Sequence, residues 1–362
     1  MIIMQMADNK KFNGGGRNYS LDLLRIIAML MVLTLHINQG SGYLPNTDLS
    51  SFIFAVKAYE HISIVAVDLF IIISSWFLCQ KSTLSYSRLI SLLITVIFWT
   101  IVMDVIALIA GAKVSLGYFS LDIPIIGKSY DFISGYILLC IVSPFLNKAV
   151  ESISHITHRN LAIGLFILFS VLAPITTSQY INIRSGYHIV WFIVLYIITS
   201  YFRTVSVHKY KMLYLIGYPI LLCLGIFGDY WGLPVVGSLD YNNFIVALSA
   251  FCVFFIFENI DIRNIYIERL IGVLAPCVLG VYLIHANPLF YRYVRPLDFS
   301  VFFNNDVRIY LISVPLIVFT LFLLFSIAEF LRIKLFSFIK VPDLVNHISS
   351  IVSNKTKEQN QY

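Results

Sequence analysis

Leu21-Asp22-Leu23-Leu24-Arg25-Ile26-Ile27-Ala28-Met29-Leu30-Met31-Val32-Leu33-Thr34-Leu35-His36 is apolar except at Asp22, Arg25, Thr34 and His36. On insertion scales, an ionisable side chain at the centre of a membrane helix costs roughly 2.5–3.5 kcal/mol, so such residues face a protein interior or an aqueous cavity. Arg25 and His36 are eleven residues apart. At about 3.6 residues per turn they return to nearly the same helix face, and a rise of ~1.5 Å per residue separates them by roughly 16 Å. One face of one helix therefore carries a fixed cation near one end and a titratable base near the other.

The rest of the chain agrees with a membrane reading. It is 59% hydrophobic and 12% charged, with a mean hydropathy of +0.85, too apolar for a soluble domain of 362 residues. The expected fold is an all-α integral membrane protein of about ten transmembrane helices. Apolar runs bounded by charges, Gly and Pro fall at roughly 20–37, 62–79, 88–110, 130–147, 161–178, 187–202, 212–228, 243–257, 269–287 and 309–331. The polar, Gly-rich start and the many later spans argue against a cleaved signal peptide.

Loop charge sets the orientation, because cytoplasmic loops carry the excess of Lys and Arg. With both termini inside, the inner segments hold 17 of the 25 Lys and Arg, the outer segments hold 7, and Arg25 sits in a span. The net charge of +6 then reflects topology and anionic lipid rather than nucleic acid. Residues 1–18 form a cytoplasmic tail, 19–335 the transmembrane domain, and 336–362 a cytoplasmic tail. In that last tail Leu344, Val345, Ile348, Ile351 and Val352 recur at helical spacing and predict a short amphipathic helix on the inner surface. Ser51 to Tyr59 reads as either an outer-surface helix or a loop.

Cys79, Cys140, Cys223, Cys252 and Cys277 lie in or beside apolar spans with no CxxC pair, which gives neither a disulfide framework nor a metal site. P-loop, GxGxxG, GxSxG and HExxH motifs are absent.

Several segments carry a resemblance. Arg25 and His36 form an Arg-x10-His pair, followed by Val67-Asp68-Leu69-Phe70-Ile71-Ile72-Ile73-Ser74-Ser75-Trp76-Phe77-Leu78. Tyr136 and Ser143-Pro144-Phe145-Leu146-Asn147-Lys148 come next, then Trp191-Phe192-Ile193-Val194-Leu195-Tyr196, then Gly280-Val281-Tyr282-Leu283-Ile284-His285-Ala286-Asn287-Pro288. In this order, over about residues 19–335, they resemble the membrane-bound acyltransferase 3 family, in particular its surface-polysaccharide O-acetyltransferase branch. Ser75 stands where the family usually has Gly, and Asp131 where this branch often has an aromatic residue. The resemblance implies transfer of an acetyl or similar short acyl group from cytoplasmic acyl-CoA to a sugar hydroxyl of a surface or lipid-linked glycan. It implies acetyl-CoA as donor substrate, no permanently bound cofactor, and a multi-pass protein of the inner plasma membrane. Homo-oligomerisation is left open.

The residues suit those roles. A sugar hydroxyl is a poor nucleophile at neutral pH, and His36 is the side chain suited to take its proton. Asp68, in the next span, would orient His36 through the second ring N–H, or else pair with another span. Arg25 and Arg88 would meet the anionic parts of acyl-CoA. The competing readings are an Arg25 ion pair with Asp22 and a positive-inside anchor for Arg88. His285 is expected at the level of His36, as an acceptor-binding or second acid–base group or as an interfacial residue. Tyr187 and Trp191 offer acceptor-binding aromatic surface, or belong to an interfacial belt. A transporter or flippase of lipid-linked sugars would also bury Arg, Asp and His, but the chain shows no internal repeat.

Overall fold

A computed structural model describes residues 17–40, 50–109, 111, 130–176, 181, 183–205, 207–287 and 306–359. The tail before Arg17, and Lys113, Lys128, Arg292 and Arg295 of the expected outer loops, lie outside the described residues. The described residues are helical and contain no strand. In chain order the helices are α1 (Tyr19–Gly40), α2 (Ser50–Ser63), α3 (Ala66–Leu78), α4 (Tyr86–Ile109), α5 (Asp131–Glu151) and α6 (His155–Phe166), which runs into a π turn at Ile167–Val171. Next come α7 (Ile189–Arg203), α8 (Lys211–Tyr230), α9 (Phe244–Glu258), α10 (Ile265–Leu274), α11 (Val278–His285), α12 (Val307–Phe338) and α13 (Val341–Gln359).

Among the described residues, seven helical units are long and apolar enough to cross a membrane: Tyr19–Asn38, Phe52–Leu78, Tyr86–Ile109, Asp131–Glu151, Lys211–Tyr230, Ile265–His285 and Val307–Phe338. Helices α7 and α9 are apolar but have 15 residues each. At ~1.5 Å per residue each is about 22 Å long, short of a hydrocarbon core of about 30 Å.

The second span differs from its sequence reading. Ser51 to Tyr59 lies in a helix, α2, and not in a loop; α2 and α3, interrupted by a two-residue turn at Ile64-Val65, together make one candidate span from Phe52 to Leu78. Val65 keeps right-handed helical angles, φ −65° and ψ −11°. Lys57, Glu60 and His61 interrupt the apolar pattern and hide this continuity. Two of them are paired: Lys57 Nζ lies 2.5 Å from Asp229 Oδ1 on α8, and His61 Nε2 lies 3.3 Å from Asp229 Oδ2.

Helix α1 is the hub, packing against α2, α3, α9, α10, α11 and α12. Leu21, Leu24, Ala28 and Met29 are fully buried, while Asp22 in the first turn complements the helix dipole. Around α1, a large apolar core takes in Trp191, Phe192 and Tyr196 of α7 and Phe254 and Phe255 of α9. A second cluster, of Leu92, Val96 and Trp99 with Ile133, Leu283 and Ile284, joins α4, α5 and α11.

Polar bonds fix the outer helices to this centre. Glu329 on α12 is completely buried and takes two charge-assisted bonds from Arg332, at 2.6 and 2.9 Å. Trp99 Nε1 of α4 donates to the same carboxylate at 2.7 Å. Gly280 of α11 abuts this carboxylate so closely that a Cβ there would overlap it, which explains a glycine in mid-helix. Removing the carboxylate leaves Arg332 buried without its counter-ion, a change that costs about 3–5 kcal/mol. Glu329→Ala should accordingly lower the thermal unfolding midpoint of the detergent-solubilised protein well below wild type. An unchanged midpoint would show that this triad does not hold α4 to α12.

Candidate functional site

Asp22, Arg25 and His36 of α1 fall on one stripe. Asp22, Arg25, Met29, Val32 and His36 follow the i, i+3, i+4 rhythm that keeps side chains on one face, and all five line one internal cavity of about 550 Å³. The cavity therefore follows α1 from the level of Arg25 to the level of His36. Its middle is apolar, bounded by Met29, Val32, Phe70, Phe77, Leu92 and Leu279. Its two ends are polar and differ in character.

At the first end lies a carboxylate between two guanidiniums. Asp22 is 2% exposed and accepts from Arg17 Nε at 2.5 Å and from Arg25 Nη1 at 2.6 Å. The i−3 pair of Arg25 with Asp22 allowed by the sequence is thus present, with Arg17 as a third member. Two positive groups and one negative group leave this triad with a net positive charge, and Arg88 lines the same cavity. Phe77 packs under Arg25, with the guanidinium carbon 5.5 Å from the ring centroid. Such an end attracts an anion, and planar guanidiniums present paired donors to phosphate oxygens.

At the other end two imidazoles meet. The rings of His36 and His285 lie 5.0 Å apart between centroids, tilted by 44°. Nδ1 of His285 sits 2.7 Å from the carbonyl oxygen of Val281. A carbonyl only accepts, so this nitrogen carries the proton and Nε2 holds a lone pair. That Nε2 is buried and has no hydrogen-bond partner among the described residues. His36 itself lines the cavity. His285 therefore stands behind His36 as a buried acceptor.

Aromatic residues close this end. Tyr130, Tyr187, Tyr241 and Tyr282 line the cavity with Asp131, and the rings of Tyr187 and Tyr241 lie 5.6 Å apart. Tyr130 has φ 58°, an uncommon left-handed conformation for an aromatic residue. Two hydrogen bonds hold it there: its hydroxyl donates to Leu283 O at 2.9 Å and accepts from Asn287 Nδ2 at 3.0 Å.

Two expected site residues lie elsewhere. Asp68 is fully buried, and its Oδ1 accepts from Trp191 Nε1 at 2.9 Å. Its Oδ2 has no hydrogen-bond partner among the described residues, so the anticipated bond from His36 to this carboxylate is not formed. Trp191 is likewise fully buried and does not border the cavity. The pair instead joins α3 to α7. Arg25, His36, Arg88 and Tyr187 do share the one cavity, with His285 against His36.

Arg17, Tyr130, Tyr241 and Tyr282 line the cavity without having been singled out from sequence. Arg17 read as a tail charge, and in a chain with 22 Tyr only the unusual backbone of Tyr130 would have marked one out. Among the described residues, no group of three or more His, Cys, Asp or Glu side chains is placed to hold a metal ion.

The architecture is that of a polytopic helical membrane protein with one amphiphilic internal cavity, cationic at one end and carrying imidazole at the other. Residues 18–329 match the family model of the acyltransferase 3 domain. The chain belongs to that family and is a membrane acyltransferase. No curated protein matches it, and no solved structure does.

The Asp68–Trp191 bond makes a prediction of its own. Trp191→Phe keeps an aromatic ring but leaves a buried carboxylate without its donor, at a cost of about 1–3 kcal/mol. Tyr266→Phe, at an exposed position of α10, should cost much less. Thermal unfolding of the two variants in one detergent checks the order, and equal midpoints would contradict it.

Proposed function

We propose that this protein carries an acetyl or similar short acyl group from cytoplasmic acyl-CoA to a sugar hydroxyl of a surface or lipid-linked glycan, with His36 as general base. The observation that carries the reading is the single cavity lined by both Arg25 and His36. An anionic donor is retained at the Arg25 and Arg88 end, and the arm bearing its thioester follows the apolar middle of the cavity. The distance along α1 is roughly 16 Å at ~1.5 Å per residue, on the order of an extended pantetheine arm.

In this orientation the chain crosses the inner plasma membrane ten times, with α6 and its π turn, α7 and α9 as the three short crossings and both termini in the cytoplasm. The excess of Lys and Arg on the segments that would face inward supports it. His36 then opens towards the outer side, where Tyr187, Tyr241 and Asp131 offer aromatic and polar contact to a pyranose.

The chemistry is one acyl transfer. His36 removes the hydroxyl proton as the oxygen attacks the thioester carbonyl. The C–S bond breaks, an ester forms, and the departing sulfur takes the proton from the imidazolium, leaving CoA thiol. His285 is a positioning residue, packed against the His36 ring and anchored through Nδ1. Asp68 acts only through the scaffold, by holding Trp191.

Loss of a general base lowers rate by about 10²–10⁴-fold. In cells lacking the endogenous gene, wild-type protein should restore the mass increment of acetyl groups on surface glycans, and His36→Ala, expressed to the same level, should not. Full restoration by that variant would remove His36 from the mechanism. Arg25→Lys keeps the charge and loses the planar fork, so acetyl-CoA binding measured by calorimetry should weaken. Unchanged affinity would confine Arg25 to its ion pair with Asp22.

A further inference from the structure

A second cavity, of about 480 Å³, shares Arg88 with the first. One wall is the segment joining α3 to α4 together with the first turn of α4, and includes Lys81, Ser82, Ser85, Ser87 and Arg88. The facing wall is the C-terminal helix α13, which contributes Ser349 and Ser353. These serines are four residues apart and so share one helix face. Arg88 lines both cavities, so its side chain borders each of them.

Both walls are fixed in place. Asn147 of α5 donates to the carbonyls of Leu78 and Lys81 at 3.0 and 2.8 Å, and its own carbonyl oxygen accepts from Tyr196 of α7 at 2.6 Å. Opposite, α13 packs along α4, with Val345 buried beneath it. Apart from Leu84, the lining consists of hydroxyls, an amide from Gln80 and two cations, which is poor ground for acyl chains. It suits a compact polar ligand that carries phosphate, because hydroxyls and ammonium or guanidinium groups all donate to phosphate oxygens.

We propose that this second cavity is the nucleotide subsite of the donor, with Lys81 and Arg88 on its phosphates and α13 as the wall that completes it. The proposal rests on the acyl-CoA reading above and deepens it. The nucleotide stays in the polar cavity and its phosphates lie at Arg88. Only the pantetheine arm enters the central cavity. The C-terminal helix is then part of the binding site as well as a surface anchor.

The test uses full-length protein in detergent and calorimetric binding of three probes: CoA, adenosine 3′,5′-bisphosphate as its nucleotide half, and pantetheine as its arm. Ser353→Trp fills the cavity without altering charge, and Lys81→Glu reverses one of its cations. Each should weaken CoA and adenosine bisphosphate by about tenfold or more, on the scale of one lost charge-assisted contact, and pantetheine by less than about twofold. Adenosine bisphosphate should compete with CoA for wild type. A phospholipid headgroup site in this place would show no such competition, and that result overturns the proposal. CoA binding that both variants leave at wild-type strength places the nucleotide elsewhere and leaves the acyl-CoA reading standing. Failure of wild type to bind CoA at all removes both.

Discussion

The burial of Asp22 between Arg17 and Arg25 is the constraint around which the cavity is organised. A carboxylate that is 2% exposed is tolerated in an apolar bundle only when its charge is matched and its oxygens are bonded. Two guanidiniums do this, one on each oxygen. The match leaves positive charge over, directed at a cavity whose next walls are apolar. The start of α1, with Arg17 just before it, thus meets the cost of burying charge and sets up an anion-attracting end. The same helix, three turns on, delivers an imidazole to the opposite end.

The other family segments keep α1 in that place. Asp68 of α3 takes the indole N–H of Trp191, and Asn147 of α5 takes the hydroxyl of Tyr196 while bonding the carbonyls of Leu78 at the end of α3 and of Lys81 just beyond it. Trp191 and Tyr196 are both fully buried on α7. The segments that resemble one family in sequence therefore bond to each other in space, those on α3 and α5 each to the one on α7. Buried polar bonds of this kind specify which helices meet, because an apolar surface alone fits many partners.

Much of the site could be read from the chain because it lies on one helix. The eleven-residue interval puts Arg25 and His36 on one face by geometry alone, and the three-residue interval makes the Asp22–Arg25 pair foreseeable. What was not legible depends on distant partners. Trp191 is 123 residues from Asp68, and Asp229 is 172 residues from Lys57. Nothing local shows that an indole will claim a carboxylate, or that Lys57 and His61 belong inside a long apolar span. The position of Tyr130 was hidden for a different reason, since its left-handed backbone depends on bonds to α11 and to Asn287. The number of crossings is harder to read than their existence, because α7 and α9 are shorter than a bilayer core.

The central claim is that the thioester of an acyl-CoA held at the Arg25 end reaches His36 through the cavity that follows α1. Bromoacetyl-CoA carries an alkylating carbon in place of the acetyl methyl, and a base waiting there displaces the bromide. Peptide mass spectrometry after brief exposure of the full-length protein should find the adduct on His36, suppressed by excess CoA and lost in Arg25→Glu. Labelling of His36 that ignores both CoA and the charge at position 25, or labelling confined to other residues, would contradict the account.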